Sequence, residues 1–306
     1  MHEYIARPVY YVGVHLFFAS LVWSAAWVLT RLVRGSAAVK YWVWVATSLN
    51  FLLPLGAIFD RSLATHLAWA RPLGVIGELG VRVADHAVPV GSVWLLGAAA
   101  MAVGLGLRIR ACRRGANAIA PMGPRSRPAF FVGSTPVRFT PVPSGPMVDG
   151  VWRQHISLPE GIDRLLTRPE LDAVLLHELV HARRRDNLIW LIHEAGLCLL
   201  WFHPLVWITG SRMALYRELS CDESVIERAR GGDLLKALAK LANPEGGLRL
   251  QASASSFVAQ RLERLSAARP RPTSLAPNAL LVAAFVSSLL VGIFETVAHT
   301  ACCFVR

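Results

Sequence analysis

The segment His177-Glu178-Leu179-Val180-His181 carries the residues of this chain that are best suited to chemistry. An apolar run with helical spacing precedes it, which predicts a helix through the segment. On a helix, His177 and His181 leave the same face one turn apart, the separation that two ligands of one tetrahedral zinc ion need. Glu178 beside them is placed to take a proton from a metal-bound water. The motif predicts a zinc hydrolase, and the alternative is a coincidental polar patch on a surface helix.

A mononuclear catalytic zinc needs a third protein ligand and one open position. The best candidate is Glu218, which follows on a later segment with helical character. Asp222 comes one turn further along the same face and is placed to orient a ligand histidine from behind. Three other acids compete for the ligand position: Glu194, Glu223 and Glu227. Glu194 follows the second histidine so closely that an antiparallel helix has little room to return.

The composition is that of a membrane protein. Apolar residues make up 54% of the 306 residues and charged residues 17%, against about a quarter charged in soluble domains. The net charge is +12, but the basic residues flank apolar runs and no nucleic-acid-binding motif accompanies them. We therefore expect contact with the lipid bilayer and no direct contact with nucleic acid. The five cysteines show no C-x-x-C spacing, so no disulfide framework or cysteine zinc site is expected.

Four apolar runs are each near the roughly 20 residues that cross a hydrocarbon core. They cover about residues 8–30, 41–59, 88–107 and 277–298. Arginine-rich segments follow the first and third runs and precede the fourth, and the positive-inside rule places these segments in the cytoplasm. We therefore expect a membrane domain with three transmembrane helices over residues 1–124, a cytoplasmic zinc metallopeptidase domain over 125–274, and a fourth transmembrane helix with a short outer tail over 275–306.

The cytoplasmic part begins with strand-like pieces separated by turn residues, at about 129–132, 136–139 and 151–158. Helical patterns follow from Arg168, with Thr167 and Glu170 as a predicted capping box. The predicted fold class is α+β, a multi-span helical membrane protein with a cytoplasmic zincin-like metallopeptidase domain. The strands either bind a substrate backbone along an edge or serve only as a scaffold, and the sequence leaves both open.

Residues 188–208 are apolar enough to pass for a fifth span. If the chain crossed the bilayer there, Glu218 would lie on the opposite side from the two histidines, and ligands of one ion cannot be about 30 Å apart. Polar residues interrupt the run, and Pro204 should break a helix. We therefore expect this segment to form part of the buried core of the peptidase domain.

Four ordered motifs resemble the BlaR/MecR-type integral-membrane zinc peptidases. They are the strand region 144–159, the segment 177–187, the segment Trp201–Trp207, and the segment Glu218–Asp222 with its Cys-Asp pair. The likeness covers about residues 1–300, including three spans before the peptidase and one after it. The second-closest resemblance is to the HtpX-like and CAAX-processing membrane peptidases, which share the H-E-x-x-H and E-x-x-x-D elements.

The resemblance to the BlaR/MecR type implies a zinc endopeptidase that cuts a cytosolic protein, such as a transcriptional repressor in a signalling pathway. Carried over residue by residue, it implies Zn²⁺ bound by His177, His181 and Glu218, with Glu178 as the catalytic base. It also implies a multi-pass protein of the bacterial inner membrane and is compatible with a homodimer. The β-lactam-sensing members continue into an extracellular penicillin-binding domain, whereas only His299–Arg306 follow the fourth span here. Direct antibiotic sensing by this chain is therefore not expected.

Three other functions remain open on the sequence. They are a quality-control or processing peptidase of the HtpX/CAAX type, a signalling scaffold without proteolysis, and a small transporter. The complete set of ligands and base argues against the scaffold, and the strand-containing insert argues against the transporter.

Overall fold

The computed structural model describes residues 2–32, 36–52, 87–117, 130–140, 145–242 and 252–267. The predicted fourth apolar run, at about 277–298, lies outside the described residues, as does the end of the second run beyond residue 52.

Three helices precede the strands: α1 (His2–Leu32), α2 (Ala37–Leu52) and α3 (Ala87–Asn117). Within the described residues, two stretches are long and apolar enough to cross a membrane, His15–Leu32 in α1 and Pro89–Ala111 in α3. They coincide with the first and third predicted runs. None of the α3 stretch is fully buried, although Met101 packs partly buried against a core cluster. Helix α2 begins four residues before the predicted second run.

A four-stranded sheet follows, built from β1 (Phe130–Val132), β2 (Thr135–Thr140), β3 (Met147–Asp149) and β4 (His155–Pro159). The strand order is β1-β2-β4-β3, with β2 and β4 parallel and both outer pairs antiparallel. The first two predicted strands are confirmed. The third was placed too early, because Gly150 turns the chain with a φ of 88° and β4 begins only at His155. The sequence analysis missed strand β3.

Six helices complete the described chain: α4 (Ile162–Leu165), α5 (Arg168–Arg184), α6 (Asp186–Leu199), α7 (Pro204–Ile226), α8 (Gly231–Ala242) and α9 (Ala252–Ala267). The predicted capping box of Thr167 and Glu170 is present at the start of α5. The break predicted at Pro204 is also present, since α6 ends at Leu199 and α7 starts at the proline. The apolar run 188–208 is buried on one face only, because Leu199 and Trp207 are 49% and 45% exposed.

Helix α5 is held between the sheet and the C-terminal helices. Ile156 and Leu158 of the sheet are fully buried and pack in one cluster with Val174 of α5 and Leu234 of α8. Burying each such side chain contributes about 1.5–3 kcal/mol, so this cluster fixes the helix that carries the H-E-x-x-H segment. On its other side α5 packs against α7, and the most extensive helix–helix interface among the described elements joins α7 to α2.

The turn between α5 and α6 depends on a left-handed residue. Arg185 has a φ of 57° and a ψ of 45°, a conformation that costs a non-glycine residue about 1 kcal/mol. It ends α5 and starts α6 without a loop. The side chain of Asn187, in the first turn of α6, donates hydrogen bonds of 2.9 Å to the carbonyl oxygens of Val148 and Gly150. The turn is thereby tied to the outer strand β3.

The start of α5 provides a test of the packing. Glu170 is 4% exposed, accepts a 2.8 Å bond from the Thr167 backbone N–H, and accepts a 2.7 Å bond from Lys240 of α8. We expect Glu170→Ala to lower the free energy of unfolding by about 1–2 kcal/mol, since it removes a helix cap and a link to α8. Denaturant unfolding of the detergent-solubilised protein, followed by circular dichroism, measures this loss.

Asp172 gives the matched control for this test. Its carboxylate lies 3.4 Å from Arg168 on the surface of the same helix. Asp172→Ala should change stability by less than about 0.5 kcal/mol, because exposed ion pairs contribute little. Equal losses for the two variants would contradict the assigned role of Glu170.

Candidate metal centre

Three side-chain atoms from α5 and α7 meet at one point. The Nε2 atoms of His177 and His181 are 3.2 Å apart. The Oε2 atom of Glu218 lies 3.5 Å from the first and 3.8 Å from the second. The structure therefore brings together the three residues that the sequence analysis proposed as ligands.

This triangle fits a tetrahedral zinc ion. Zinc binds imidazole nitrogen and carboxylate oxygen at about 2.0–2.2 Å, so neighbouring ligand atoms should be about 3.3–3.5 Å apart. The observed separations of 3.2, 3.5 and 3.8 Å need changes of a few tenths of an ångström at most. Two imidazoles and one carboxylate are also the donor set of known catalytic zinc sites.

Local structure explains why the atoms converge. Since the two histidines are four positions apart on one helix, their side chains leave the same face. Glu218 reaches them because α7 packs against α5. His177 is 4% exposed, which shields this side of the site from water.

Each histidine also has a carboxylate behind its ring. Asp186 Oδ2 lies 2.6 Å from His181 Nδ1, in a partly buried hydrogen bond. Asp222 Oδ1 lies 3.1 Å from His177 Nδ1, an ion-pair distance at an angle short of a hydrogen bond. A carboxylate behind a ligand imidazole fixes the ring and its tautomer and makes the free nitrogen a better donor to a metal. The structure thus places Asp222 where it was expected and adds Asp186.

Arg261 also contacts the proposed ligands. Glu178, the residue after His177, is buried, with 8% of its surface exposed. Arg261 of α9 binds Asp222 through two bonds of 2.8 and 2.9 Å. Its guanidinium also lies 3.4 Å from both Glu218 Oε2 and His177 Nε2. A fixed positive charge therefore faces the same atoms that a metal would contact.

The carboxylates around His177 outweigh the positive charge of Arg261 in their effect on its pKa. Burial and the charge of Arg261 lower the pKa of His177, but the carboxylates of Asp222 and Glu218 outweigh them and raise it to about 9. Burial raises the pKa of Glu218, yet the charge of His181 and the contacts with both imidazoles hold it well below its usual range. The imidazoles thus attract protons strongly, as expected for a cluster that binds positive charge.

Cys221 offers a competing ligand set with the two histidines. Its sulfur and the histidine nitrogens lie within 4.8 Å of one another. However, Cys221 Sγ approaches Nδ1 of His181 at 3.5 Å, the nitrogen that already binds Asp186 at 2.6 Å. A metal held by this sulfur and Nδ1 of His181 would have to displace Asp186, whereas Glu218 lies against the Nε2 atoms of both histidines. The geometry therefore favours Glu218.

The other acids considered as ligands lie elsewhere. Glu194 is 4.0 Å from Arg108 of α3. Glu223 accepts bonds of 2.8 and 2.7 Å from the Ala37 backbone N–H at the start of α2. Glu227, at the end of α7, is exposed. None of the three reaches the histidines.

Asp186, Arg261 and Cys221 lie close to the histidines but were not predicted from the sequence as residues of this centre. Asp186 is five residues past His181, which on a continuous helix is about 140° around the axis. Only the left-handed turn at Arg185 brings it back. Arg261 is 84 residues from His177 and has no local signal. Cys221 is three residues past Glu218, so a helical projection could have shown it near the centre.

The comparisons with known proteins match this chain to a peptidase family. The family model described as BlaR1 peptidase M56 matches residues 81–265, which include all five residues predicted for the site. The regulatory protein BlaR1 of Bacillus licheniformis is 39% identical over 92 residues, 29% of this chain and 14% of that protein. The methicillin resistance mecR1 proteins of Staphylococcus aureus and Staphylococcus epidermidis are 24% identical over 103 residues, 34% of this chain and 18% of theirs.

The matched segments thus span less than a fifth of the length of these curated relatives. The family model, in contrast, covers more than half of the 306 residues and confirms the resemblance that the motifs predicted. The chain therefore belongs to the BlaR1 peptidase M56 family.

Proposed function

We propose that this protein is a membrane-embedded zinc endopeptidase that hydrolyses peptide bonds of a cytosolic protein. One observation carries the proposal: the 3.2, 3.5 and 3.8 Å triangle of His177 Nε2, His181 Nε2 and Glu218 Oε2. Membership of a peptidase family supports the same chemistry.

The residues around the proposed zinc ion have different roles in this mechanism. Bound zinc would lower the pKa of a water to about 7 and polarise the substrate carbonyl. Glu178 accepts the proton of the attacking water and returns it to the leaving amine. Asp222 and Asp186 keep the rings of His177 and His181 in place. Burial around the site limits the access of bulk water, so the charges there interact more strongly than they would in water.

The proposed substrate and membrane topology are argued from the relatives and from the apolar stretches of the chain. Relatives named as a regulatory protein and as methicillin resistance proteins support a signalling role. We propose a transcriptional repressor as the substrate, as the resemblance of the motifs to the BlaR/MecR type implies. The two apolar stretches in α1 and α3 support a membrane domain over residues 1–124. We place the peptidase domain, 125–274, on the cytoplasmic side of the bacterial inner membrane, followed by a fourth span in 275–306. A homodimer is compatible with this arrangement.

Replacing Glu178 with Gln tests the role of Glu178 as catalytic base independently of zinc binding. We expect the variant to keep about one zinc per chain and to lose cleavage by at least about a hundredfold, because the amide cannot accept the proton of the water. Metal analysis of the purified protein and mass spectrometry of newly formed peptide termini in cells measure the two effects. The exposed Glu227→Gln is the matched control, and cleavage at the wild-type rate by Glu178→Gln would reject the base.

A pair of variants decides between the two ligand sets. We expect Glu218→Gln to weaken zinc binding at least tenfold, because a neutral amide oxygen is a poor zinc ligand. Cys221→Ser should change the affinity by no more than about threefold, since the sulfur faces the wrong nitrogen of His181. Competition with a chelator of known affinity provides the measurement. The reverse pattern would assign the third ligand to Cys221.

The metal affinity should depend on pH. Zinc binds the neutral imidazole, and the metal-free pKa of His177 is raised to about 9, so protons compete with the metal at every pH below this value. Apparent zinc affinity should therefore rise with pH between about 6 and 9, by about tenfold per unit for each proton displaced. Chelator competition at several pH values, corrected for the protonation of the chelator, tests this, and a flat profile would contradict it.

A further inference from the structure

Helix α2 lies outside the residues that the family model matches, yet it begins on the helix that carries Glu218. The carboxylate of Glu223 on α7 accepts 2.8 and 2.7 Å bonds from the Ala37 backbone N–H and a 3.3 Å bond from that of Ala38. These N–H groups have no partner within their own helix, so Glu223 caps α2. Arg264 of α9 holds the same carboxylate. The first turn of α2 is thus fixed relative to the metal centre.

One turn later, α2 reaches the centre itself. The hydroxyl of Tyr41 donates a 3.0 Å hydrogen bond to Asp186 Oδ1. The other oxygen of that carboxylate, Oδ2, is the atom 2.6 Å from His181 Nδ1. Tyr41 and Asp186 are 1% and 2% exposed, so the hydrogen bond between them is shielded from water. Two hydrogen bonds therefore connect α2 to a proposed metal ligand, from Tyr41 to Asp186 and from Asp186 to His181.

Arg184 completes the arrangement around the carboxylate. Its Nε and Nη2 atoms bind the two oxygens of Asp186 at 2.6 Å each. Its guanidinium also stacks over the ring of Tyr41, 4.2 Å from the centroid. Arg184 sets the charge and plane of the carboxylate, and the hydroxyl of Tyr41 supplies a contact from a separate helix. Since α2 packs along α7, a displacement of α2 would act on Asp186 and on the helix of Glu218 together.

We propose that Tyr41 is a positioning residue of the metal centre: through Asp186 it holds the imidazole of His181, so that metal retention depends on where α2 lies. The inference rests on the proposed zinc site. It assigns to the N-terminal helices a direct part in assembling the centre, and it defines a path by which a signal at those helices could change the site.

The test uses Tyr41→Phe in the full chain, purified in detergent. Removing a carboxylate behind a ligand histidine weakens metal binding by about 10–100-fold, and Tyr41 acts one bond further away. We therefore expect zinc affinity to fall by about threefold to tenfold and zinc to dissociate faster by a similar factor. In the cobalt-substituted protein the visible absorption bands should shift, because the ring of His181 changes its orientation. A merely structural role for the hydroxyl would leave these bands in place.

Two further variants calibrate the result. Trp42→Phe changes the neighbouring aromatic residue, which is 50% exposed, and should leave affinity and spectrum unchanged. Asp186→Asn keeps the shape of the carboxylate and should give the larger loss of about 10–100-fold. If Tyr41→Phe does not fold, Glu223→Gln decides, because it loosens the start of α2 without touching Asp186 and should lower zinc affinity in the same direction.

The outcomes separate the two proposals. Wild-type protein without stoichiometric zinc would reject the proposed function. The second outcome is that the wild-type protein binds zinc, but Tyr41→Phe matches Trp42→Phe in zinc affinity, zinc dissociation rate and cobalt spectrum. This outcome would reject the role of Tyr41 and leave the proposed function standing. Unchanged affinity in Glu223→Gln has the same meaning where the tyrosine variant cannot be purified.

Discussion

The centre exists only if three donor atoms from two helices lie within bonding distance of one ion. The two histidines satisfy this by their spacing on α5, but Glu218 depends on the position of α7 relative to α5. That position is set by tertiary packing: the sheet and α8 hold α5, and α2 lies along α7. A sliding of α7 by one residue, about 1.5 Å, would move Glu218 Oε2 away from both imidazoles.

The surroundings of the ligands are charged and buried at the same time. Asp186, Asp222 and Arg261 are each at most 5% exposed. A buried charge without a partner costs several kcal/mol, whereas a buried pair of good geometry roughly offsets its own desolvation. The contribution of these pairs to stability is therefore small. Their effect is geometric, since each carboxylate has few positions in which all of its partners are satisfied.

Much of the fold around the centre could be predicted from patterns among residues close together in the sequence. The periodicity around His177 predicts the helix, the pair Thr167 and Glu170 predicts its start, and Pro204 predicts the beginning of α7. Glu218 could be proposed because an acid with a second acid one turn later is a recognisable pattern. Strand β3 escaped prediction because three residues carry too little alternation to be distinguished from a turn.

The remaining residues around the ligands depend on contacts that no local pattern encodes. Tyr41 lies in an apolar run, where an aromatic residue is more often a packing residue than a hydrogen-bond donor to an active site. Arg261 comes from the last described helix and meets Asp222 only after the chain has folded. Asp186 faces the wrong way on any helical projection, and a single left-handed residue reverses this.

That same short turn also restricts the rim of the sheet. Asn187 follows Asp186 directly and already uses the carbonyl oxygens of Val148 and Gly150 beside strand β3. A foreign strand laid along this rim must share the Val148 carbonyl with Asn187 or push the amide aside. Pushing it aside would disturb the residue next to the one that braces His181. Binding of a strand along β3 would therefore disturb Asn187, and through its neighbour Asp186 it would also disturb the position of the His181 imidazole.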